Sequence, residues 1–295
     1  MRTRRRAIPV GGFDAASGLW RATDSEASAW LRRDRLTVAT FNIWFNEFYA
    51  PERYRAICDV LARNRPDVMV FQEVTPQALT TFLDQPWIRE HYRRAEFTGD
   101  GLNYGMLLLS RLPVNRVTYA SLPTRLDRGF LVADFTVNAQ DLRVAAIHLE
   151  SGKAASGLRA RQLRMIFRSL RRSESALVLG DFNMRDTENG IISRDYRDVW
   201  PTLRPDDDGF TEDTSINLMR YDMKNKHRHV RFDRVLVKGD QWVATHIELL
   251  GTKPIDDALP RVFPSDHFGV LCRFEHRPAV AKVSRGKRLW VHLRN

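Results

Sequence analysis

Asp181 and Asn183 are the residues of this sequence whose types and spacing first suggest chemistry. They follow residues 177–179, an apolar run of strand character that ends at Gly180. Side chains two positions apart point to the same side of an extended chain, so a carboxylate and a carboxamide are aimed together. A strand followed by an Asx-type turn, in which Asp and Asn bond their own backbone, explains this stretch equally well. Other parts of the chain must decide between the two interpretations.

Five more fragments share one feature, a short polar cluster at the end of an apolar, β-prone run. They are TFNIW (40–44), VFQEV (70–74), AIHLES (146–151), RFDRV (231–235) and PSDHFG (264–269). An α/β scaffold presents side chains to a common cleft in this way. We therefore expect the six clusters to converge.

Charge and composition restrict the class of partner. The chain has 295 residues and a mass of 34.2 kDa, with 47 basic against 36 acidic residues, a net charge of +11 and a pI near 10.1. Most of the basic residues are arginine, whose planar fork suits phosphate oxygens. The positive charge therefore predicts a polyanionic partner. Compositional bias together with basic tails is the alternative explanation.

Cys58 and Cys272 each lie in an apolar segment, which predicts two buried thiols and a reducing compartment. No apolar region follows the N-terminal arginines, so we expect no signal peptide, and no apolar run is long enough to span a membrane. The expected location is the cytoplasm, or the nucleus in a eukaryotic cell.

The elements that must position the polar clusters form one body. We expect an N-terminal basic arm over residues 1–35, pinned by Trp20 and Trp30, a domain over residues 36–275, and a basic tail over residues 276–295. Apolar periodicity predicts helices over 53–62, 77–83 and 156–170. Strands are predicted over 36–42, 67–72, 92–97, 106–110, 114–119, 130–137, 142–147, 232–237 and 269–274. The segment 186–231 is irregular and too long for a simple connection, which indicates a functional or mobile loop.

Taken together, the motifs resemble the endonuclease/exonuclease/phosphatase superfamily, the DNase I-like metal-dependent phosphoesterases. HLES (148–151), GDFNMRD (180–186), RFDR (231–234) and FPSDHFGVLC (263–272) are most similar to the 5′-tyrosyl-DNA phosphodiesterases. The resemblance implies an α/β fold of DNase I-like type. In that fold, helices lie outside two packed mixed β-sheets in a four-layer αββα sandwich, with the active site at the sheet edges.

The resemblance also implies roles for single residues. Asp181 and Asn183 match the pair that orients and activates a water, and Glu73 matches the principal metal carboxylate. Asn42 lies beside Glu73, and Asp266 can approach the metal through water. Oxygen ligands of this kind suit Mg²⁺, and Mn²⁺ accepts them too.

Two histidines are implied to donate to the phosphate. His267 would bond the scissile phosphate, Asp233 matches the acid that orients its imidazole, and His148 offers a second donor. Arg185, Tyr104, Ser265 and Glu150 are the expected substrate-binding residues. For Arg185 and Glu150 the alternative is surface charges that flank an active strand.

Two positions depart from the family pattern. Tyr104 lies one residue after the position of the family's aromatic, here Asn103, and a shift of one residue normally turns a strand side chain to the opposite face. Glu212 stands where the tyrosyl-DNA enzymes carry tryptophan. An acidic side chain there is expected to weaken binding of a polyanion.

The resulting hypothesis is a monomeric, Mg²⁺-dependent phosphodiesterase that hydrolyses 5′-phosphotyrosyl DNA ends, with single-stranded overhangs, to a 5′-phosphate. An abasic-site or RNA nuclease, a sphingomyelinase and an inositol-phosphate phosphatase remain open within the same reaction class. A non-catalytic nucleic-acid-binding module is the alternative from another class. It is disfavoured because every matched metal carboxylate and catalytic residue is present.

Overall fold

Two packed β-sheets form the centre of the fold in the computed structural model, which describes residues 5–23, 31–99 and 103–278. The strands are β1 (Arg5–Ile8), β2 (Gly11–Asp14), β3 (Leu19–Ala22), β4 (Arg35–Asn42), β5 (Val68–Val74), β6 (Arg93–Thr98), β7 (Gly105–Ser110), β8 (Arg116–Ser121), β9 (Gly129–Val137), β10 (Gln140–His148), β11 (Ser175–Asp181), β12 (Tyr196–Asp198), β13 (Glu212–Asp213), β14 (His229–Val230), β15 (Asp233–Lys238), β16 (Trp242–Leu250) and β17 (Gly269–His276). The helices are α1 (Ala50–Asn64), α2 (Pro76–Leu83), α3 (Pro86–His91), α4 (Ser156–Ser169), α5 (Val199–Leu203) and α6 (Leu218–Lys224), and Lys153–Ala155 and Asp186–Ile191 form 3₁₀ turns.

Both sheets are mixed. The first has the order β1-β8-β9-β10-β11-β15-β12, and the second has the order β16-β17-β4-β5-β7-β6-β2-β3. Only β10–β11 and β4–β5 pair in parallel among the described strands, and β13–β14 forms a separate short ribbon. The two parallel pairs lie in the middle of their sheets, where both faces are covered.

The core has three apolar layers because the central strands bury both faces. Along β4, Val38 contributes to the cluster between the two sheets, whereas Phe41 packs with α1 and α2 on the outer side. On the first sheet, Ile147 of β10 packs with α4 on the opposite outer side. Strands buried on both faces have nearly continuous apolar sequences. The arrangement is the expected four-layer αββα sandwich.

The N-terminal segment differs from the expected arm. Strand β1 pairs with β8 at the edge of the first sheet, and the β2–β3 hairpin extends the second sheet beyond β6. The prediction of an extended arm is therefore wrong for residues 5–22. These strands have four residues each and no sustained alternation, so they depend on distant sheet edges for their hydrogen bonds.

Other local predictions have mixed outcomes. Trp20 packs against the outer core and makes an edge contact with Phe13, whereas Trp30 and residues 279–295 lie outside the described residues. Strand β16 was not predicted. The segment 186–231, predicted to be irregular, contains six short elements: three strands, two helices and a 3₁₀ turn. Cys58 and Cys272 are buried free thiols, as predicted. Among the described helices, none is long and apolar enough to cross a membrane.

Candidate active site

Three adjacent strands of the first sheet bring His148, Asp181 and Asp233 to one edge. His148 ends β10, Asp181 ends β11, and Asp233 begins β15, which runs antiparallel to them. In the strand register His148 is opposite Asp181, and Asp181 is opposite Asp233. The parallel pairing of β10 and β11 thus places residues 33 positions apart side by side.

The second sheet supplies the facing side chains. Asn42 ends β4, Glu73 lies in the next parallel strand β5, and His267 precedes β17, which pairs with β4 on its other side. The pairing of β5 with β7 is irregular between Gln72 and Val74, and Glu73 has a positive φ of 63°. This bulge rotates the carboxylate out of the strand alternation.

Asp181 is fully enclosed by donors. Its Oδ2 accepts from Asn42 Nδ2 at 3.1 Å and from Asn183 Nδ2 at 3.0 Å, and its Oδ1 accepts from the backbone N–H of Asn183 at 2.7 Å. Burial raises the pKa of Asp181, but the hydrogen bond from His148 and the positive charge of His267 outweigh burial, so the pKa lies below its usual value. Asp181 is therefore anionic at neutral pH.

Gly180 allows strands β10 and β11 to lie close enough for His148 and Asp181 to be neighbours. Its φ is +144°, and a Cβ at this position would lie 2.0 Å from the carbonyl oxygen of Ile147. A side chain would push Asp181 away from His148.

His148 is held in one tautomer by an arginine. The guanidinium Nη1 of Arg128 donates to His148 Nδ1 at 2.9 Å, which leaves the imidazole proton on Nε2. Nε2 lies 3.4 Å from Asp181 Oδ2 and 3.9 Å from Glu73 Oε1. Burial and then the charge of Arg128 lower the pKa of His148 to about 4. His148 is consequently a neutral donor near neutral pH.

His267 is held in the opposite charge state. Its Nδ1 bonds Asp233 Oδ2 at 2.8 Å, and Nε2 remains for a ligand in the cleft. Burial lowers the pKa of His267, but the charge of Asp233 and this hydrogen bond raise it well above 6.5. Thr211 fixes the pair, because its hydroxyl accepts the backbone N–H groups of Phe232 and Asp233. The imidazole is therefore positively charged at neutral pH.

Glu73 fits the carboxylate ligand of a divalent cation. Its Oε2 accepts the backbone N–H of Phe45 at 3.2 Å. Burial and then the negative charge of Asp266 raise its pKa to about 7, and Asp181 adds further repulsion. Burial also raises the pKa of Asp266. Enclosed carboxylates that repel one another are the hard oxygen donors that a divalent ion such as Mg²⁺ neutralises.

A second group of ligand-type atoms needs a different interpretation. Atoms of Asp181, Asp233 and His267 lie within 4.8 Å of one another. The Asp233 carboxylate is bonded to the imidazole, however, and His267 Nδ1 is thereby occupied. Glu73 with Asn42 and Asp266 is the better donor set for a hard cation, since it consists of oxygen ligands.

One cleft of about 540 Å³ is lined by Glu73, Asp181, His148 and His267, together with Asn42 and Asn183. Its wall contains more cations than anions, and the cations are Arg128, Lys153, Arg159, Arg185, Arg220, Lys226 and Arg228. The acidic lining residues are Glu73, Asp181 and Glu212. A phosphate chain in this cleft would therefore have cationic partners in its wall.

Glu212 does not act as the free negative charge that was expected. Its side chain is 2% exposed, Oε1 accepts from Arg220 Nε at 2.5 Å, and Oε2 accepts from Arg228 Nη1 at 2.9 Å. The carboxylate is shielded and holds two guanidinium groups in the cleft wall, and the effect of Glu212 on polyanion binding stays a prediction. Trp200 of the same region is buried in the core.

Tyr104 lines the cleft despite its shifted position. It precedes β7 instead of lying within a strand, so strand alternation does not govern its direction. Its ring stacks on Phe45 with centroids 4.7 Å apart, and its hydroxyl lies 3.5 Å from Arg128 Nη1. Arg185 also lines the cleft.

Ser265 and Glu150 support the site from behind instead of facing the cleft. The Ser265 hydroxyl donates to the carbonyl of Asn42 at 2.7 Å and accepts the N–H of His267 at 3.2 Å. Glu150 is buried, and its carboxylate accepts from the Thr124 hydroxyl at 2.6 Å. Both the hydroxyl and the carboxylate are occupied within the protein, and neither residue is among those that line the cleft, so substrate binding by Ser265 and Glu150 stays a prediction.

Three positioning residues were missed from the sequence. Arg128 sets the tautomer of His148, Thr211 anchors Asp233, and Arg53 holds the loop before α1. Thr211 and Arg53 act through backbone groups, and no spacing rule connects Arg128 with His148. A fully buried arginine, with Arg53 at 0% exposure, is recognisable only once the core is known.

Comparison with known proteins supports this description. The Endonuclease/Exonuclease/phosphatase family matches residues 39–267. Tyrosyl-DNA phosphodiesterase 2 of Gallus gallus is 32% identical over 238 residues, covering 76% of this chain and 62% of that protein, and the Xenopus laevis protein is 30% identical over 297 residues, covering 92% and 76%. The chain thus spans less than two thirds of the chicken relative.

A solved structure has the same fold. D. rerio TDP2 complexed with single strand DNA product aligns with a TM-score of 0.72 and 26% identity over 82% of this chain and 100% of that chain. The order of the motifs, the two packed sheets and the family match agree. This chain therefore belongs to the endonuclease/exonuclease/phosphatase family.

Proposed function

We propose that this protein hydrolyses the phosphodiester between a tyrosine and the 5′ end of DNA, with the help of a divalent metal ion, releasing tyrosine and a 5′-phosphate. The observation that carries the proposal is the meeting of Glu73, Asp181, His148 and His267 in one cleft with a cationic wall. The relatives named tyrosyl-DNA phosphodiesterase 2 and the neighbour with a single-stranded DNA product support this choice of substrate.

Asp181 and Asn183 position the attacking water. The carboxylate of Asp181 is anionic and held by three donors, so it accepts the proton of a water without rotating. As the bond from the water oxygen to phosphorus forms, the bond from phosphorus to the tyrosyl oxygen breaks. The proton moves to Asp181, and the phenolate is protonated by solvent.

His267 and His148 stabilise the negative charge on the phosphate. The His267 imidazolium carries a positive charge and donates from Nε2, whereas neutral His148 donates its Nε2 proton. Phenolate has a conjugate-acid pKa of about 10, so its departure needs little general-acid help. Two donors and the charge of a metal are sufficient for such a leaving group.

Glu73 would hold the metal ion, with Asn42 beside it and Asp266 reaching it through water. A bound divalent ion would neutralise charge on the phosphate oxygens. We propose Mg²⁺ because the donors are carboxylate and amide oxygens, and Mn²⁺ accepts the same ligands. All of these residues come from one chain, which is consistent with a monomer. Because the proposed substrate is DNA, we propose that the protein acts in the cell compartment that contains DNA.

A substrate panel tests the proposal. Wild-type protein with Mg²⁺ is offered a 5′-phosphotyrosyl oligonucleotide, an abasic duplex, poly(A), sphingomyelin and an inositol phosphate. We expect cleavage of the phosphotyrosyl oligonucleotide and loss of cleavage in EDTA. Cleavage of another substrate with the tyrosyl one untouched would contradict the substrate assignment. DNA binding that EDTA does not change, without turnover under any metal, would indicate a non-catalytic module.

A further inference from the structure

An exposed aromatic loop borders the active site. Phe45 is 47% exposed, Phe48 40% and Tyr49 41%. They account for three of the six large apolar side chains that are exposed in the described part of the chain. Clustered exposed aromatic rings cost free energy in water and commonly mark a binding surface.

The loop over residues 43–48 is rigid because the buried side chain of Arg53 donates hydrogen bonds to its backbone carbonyls. The guanidinium donates to the carbonyls of Ile43 at 3.1 Å, Trp44 at 3.2 Å, Asn46 at 2.5 Å and Phe48 at 2.7 Å. Side chains on a backbone held in this way are already ordered before a ligand binds. Preorganisation reduces the entropy cost of binding.

The aromatic loop separates the catalytic cleft from a second depression of about 690 Å³, here called the aromatic groove. Phe45, Glu47, Tyr54, Pro76, Gln77 and Asn103 are among the residues that line it. Phe45 also lines the catalytic cleft, where its ring stacks on Tyr104, and its N–H bonds Glu73. The aromatic groove and the catalytic cleft are therefore neighbours that share Phe45 as a lining residue.

Charge distinguishes the two depressions. The catalytic cleft contains seven arginine and lysine residues, whereas Glu47 is the only charged residue among the described residues that line the aromatic groove. A phosphate chain in the groove would meet one carboxylate and no cation, so DNA is favoured in the cleft. An uncharged or apolar polypeptide loses nothing by lying in the groove.

We propose that the aromatic groove binds the polypeptide that carries the tyrosyl leaving group. The proposal rests on the proposed function, since the substrate of that reaction joins DNA and a peptide through one phosphate. The DNA part of such a substrate is polyanionic and suits the cationic cleft, whereas an uncharged peptide part suits the aromatic groove. Phe45 lines both depressions and remains 47% exposed although it stacks on Tyr104, so it offers an aromatic contact for the phenol ring that leaves.

The test compares two leaving groups on one oligonucleotide. One substrate carries a 5′-p-nitrophenyl phosphate, and the other carries a 5′-phosphotyrosine within an apolar heptapeptide. The variant is Gln77→Trp, which fills the groove from α2. Thr80→Trp is the matched control, because Thr80 is exposed on the same helix and does not line the groove.

We expect Gln77→Trp to lower kcat/KM for the peptide substrate by about tenfold and to leave the nitrophenyl substrate within about twofold of wild type. Thr80→Trp should retain wild-type rates on both. Equal effects of Gln77→Trp on both substrates, or no effect on either, would overturn the groove assignment. Wild-type protein that cleaves neither substrate would instead overturn the proposed function, and the groove assignment with it.

Discussion

In an Asp233→Asn variant, the imidazole of His267 keeps a hydrogen-bond acceptor at Nδ1 but loses the charge that raises its pKa. The two groups are 2.8 Å apart. At an effective dielectric constant of about 20, a unit charge at this distance contributes roughly 6 kcal/mol. Loss of this charge removes the largest contribution that raises the pKa of His267, so the pKa should fall towards its ordinary value.

The consequence is a change in the pH profile. A histidine at its ordinary pKa of about 6.5 is only about 3% protonated at pH 8. Because the proposed mechanism requires the protonated form of His267, the ratio of wild-type to variant kcat/KM should be about 30 or more at pH 8. The ratio should decrease steadily towards pH 6, where the variant regains its imidazolium.

Hydrolysis of a p-nitrophenyl ester of thymidine 5′-phosphate, followed by absorbance from pH 6 to 9, provides the assay. His267→Gln is the control, because it should show no such pH-dependent recovery relative to wild type. A ratio that is the same at every pH would refute the assignment of Asp233 as the group that holds His267 protonated.

Three further predictions concern the framework of the site. Arg53→Met should lower the free energy of unfolding by about 3 kcal/mol in urea denaturation, because it leaves several loop carbonyls without their donor; an unchanged midpoint would contradict this. Asp186 accepts from two guanidinium groups, its pKa is lowered, and it is half exposed, so Asp186→Asn should cost at most about 1 kcal/mol at pH 7. That difference should begin to shrink below about pH 4, where the unfolded carboxylate becomes protonated, and should disappear once the pH is below the lowered pKa of the folded form; a difference that does not shrink with falling pH would exclude an ionic origin. Gly180→Ala should lower stability by about 3 kcal/mol or more in thermal melting, since its Cβ would collide with the Ile147 carbonyl; a soluble variant with wild-type stability would contradict the strained approach.

The central strands could be predicted from the sequence because they are buried on both faces. Strands β5 and β11 are nearly continuous apolar runs, and the polar residues that follow them therefore mark the sheet edge. The side chains at these strand ends, from Asn42 to His267, meet as the motif order predicts. Strand direction and pairing are sufficient to bring them together.

What could not be predicted depends on contacts between distant residues. Strand β16 has a register shift between Ala244 and His246, which breaks the alternation that would have revealed it. The N-terminal strands gain hydrogen bonds only from sheet edges that fold elsewhere in the chain. Ser265 and Glu150 stand within motifs, but their hydroxyl and carboxylate are occupied by neighbours that no local pattern identifies.

The sequence also could not show that the charge of Glu212 is neutralised by neighbouring residues. Glu212 looks like an isolated acid beside a phosphate path, yet Arg220 and Arg228 lie 8 and 16 positions further along the chain and neutralise it. The short ribbon β13–β14 and helix α6 bring these three together. Only the fold of residues 186–231 shows that this wall is cationic.

The central claim is that Asp181 activates a water that attacks the phosphorus of a 5′-phosphotyrosyl DNA end. The most direct test is a single-turnover reaction of this substrate with Mg²⁺ in H₂¹⁸O. The reaction is run with the wild-type protein and with an Asp181→Asn variant whose melting temperature equals that of the wild type. We expect one ¹⁸O atom in the 5′-phosphate, none in the released tyrosine, and a rate at least about a thousandfold lower in the variant. Label in the tyrosine, or a variant that keeps the wild-type rate, would contradict the mechanism.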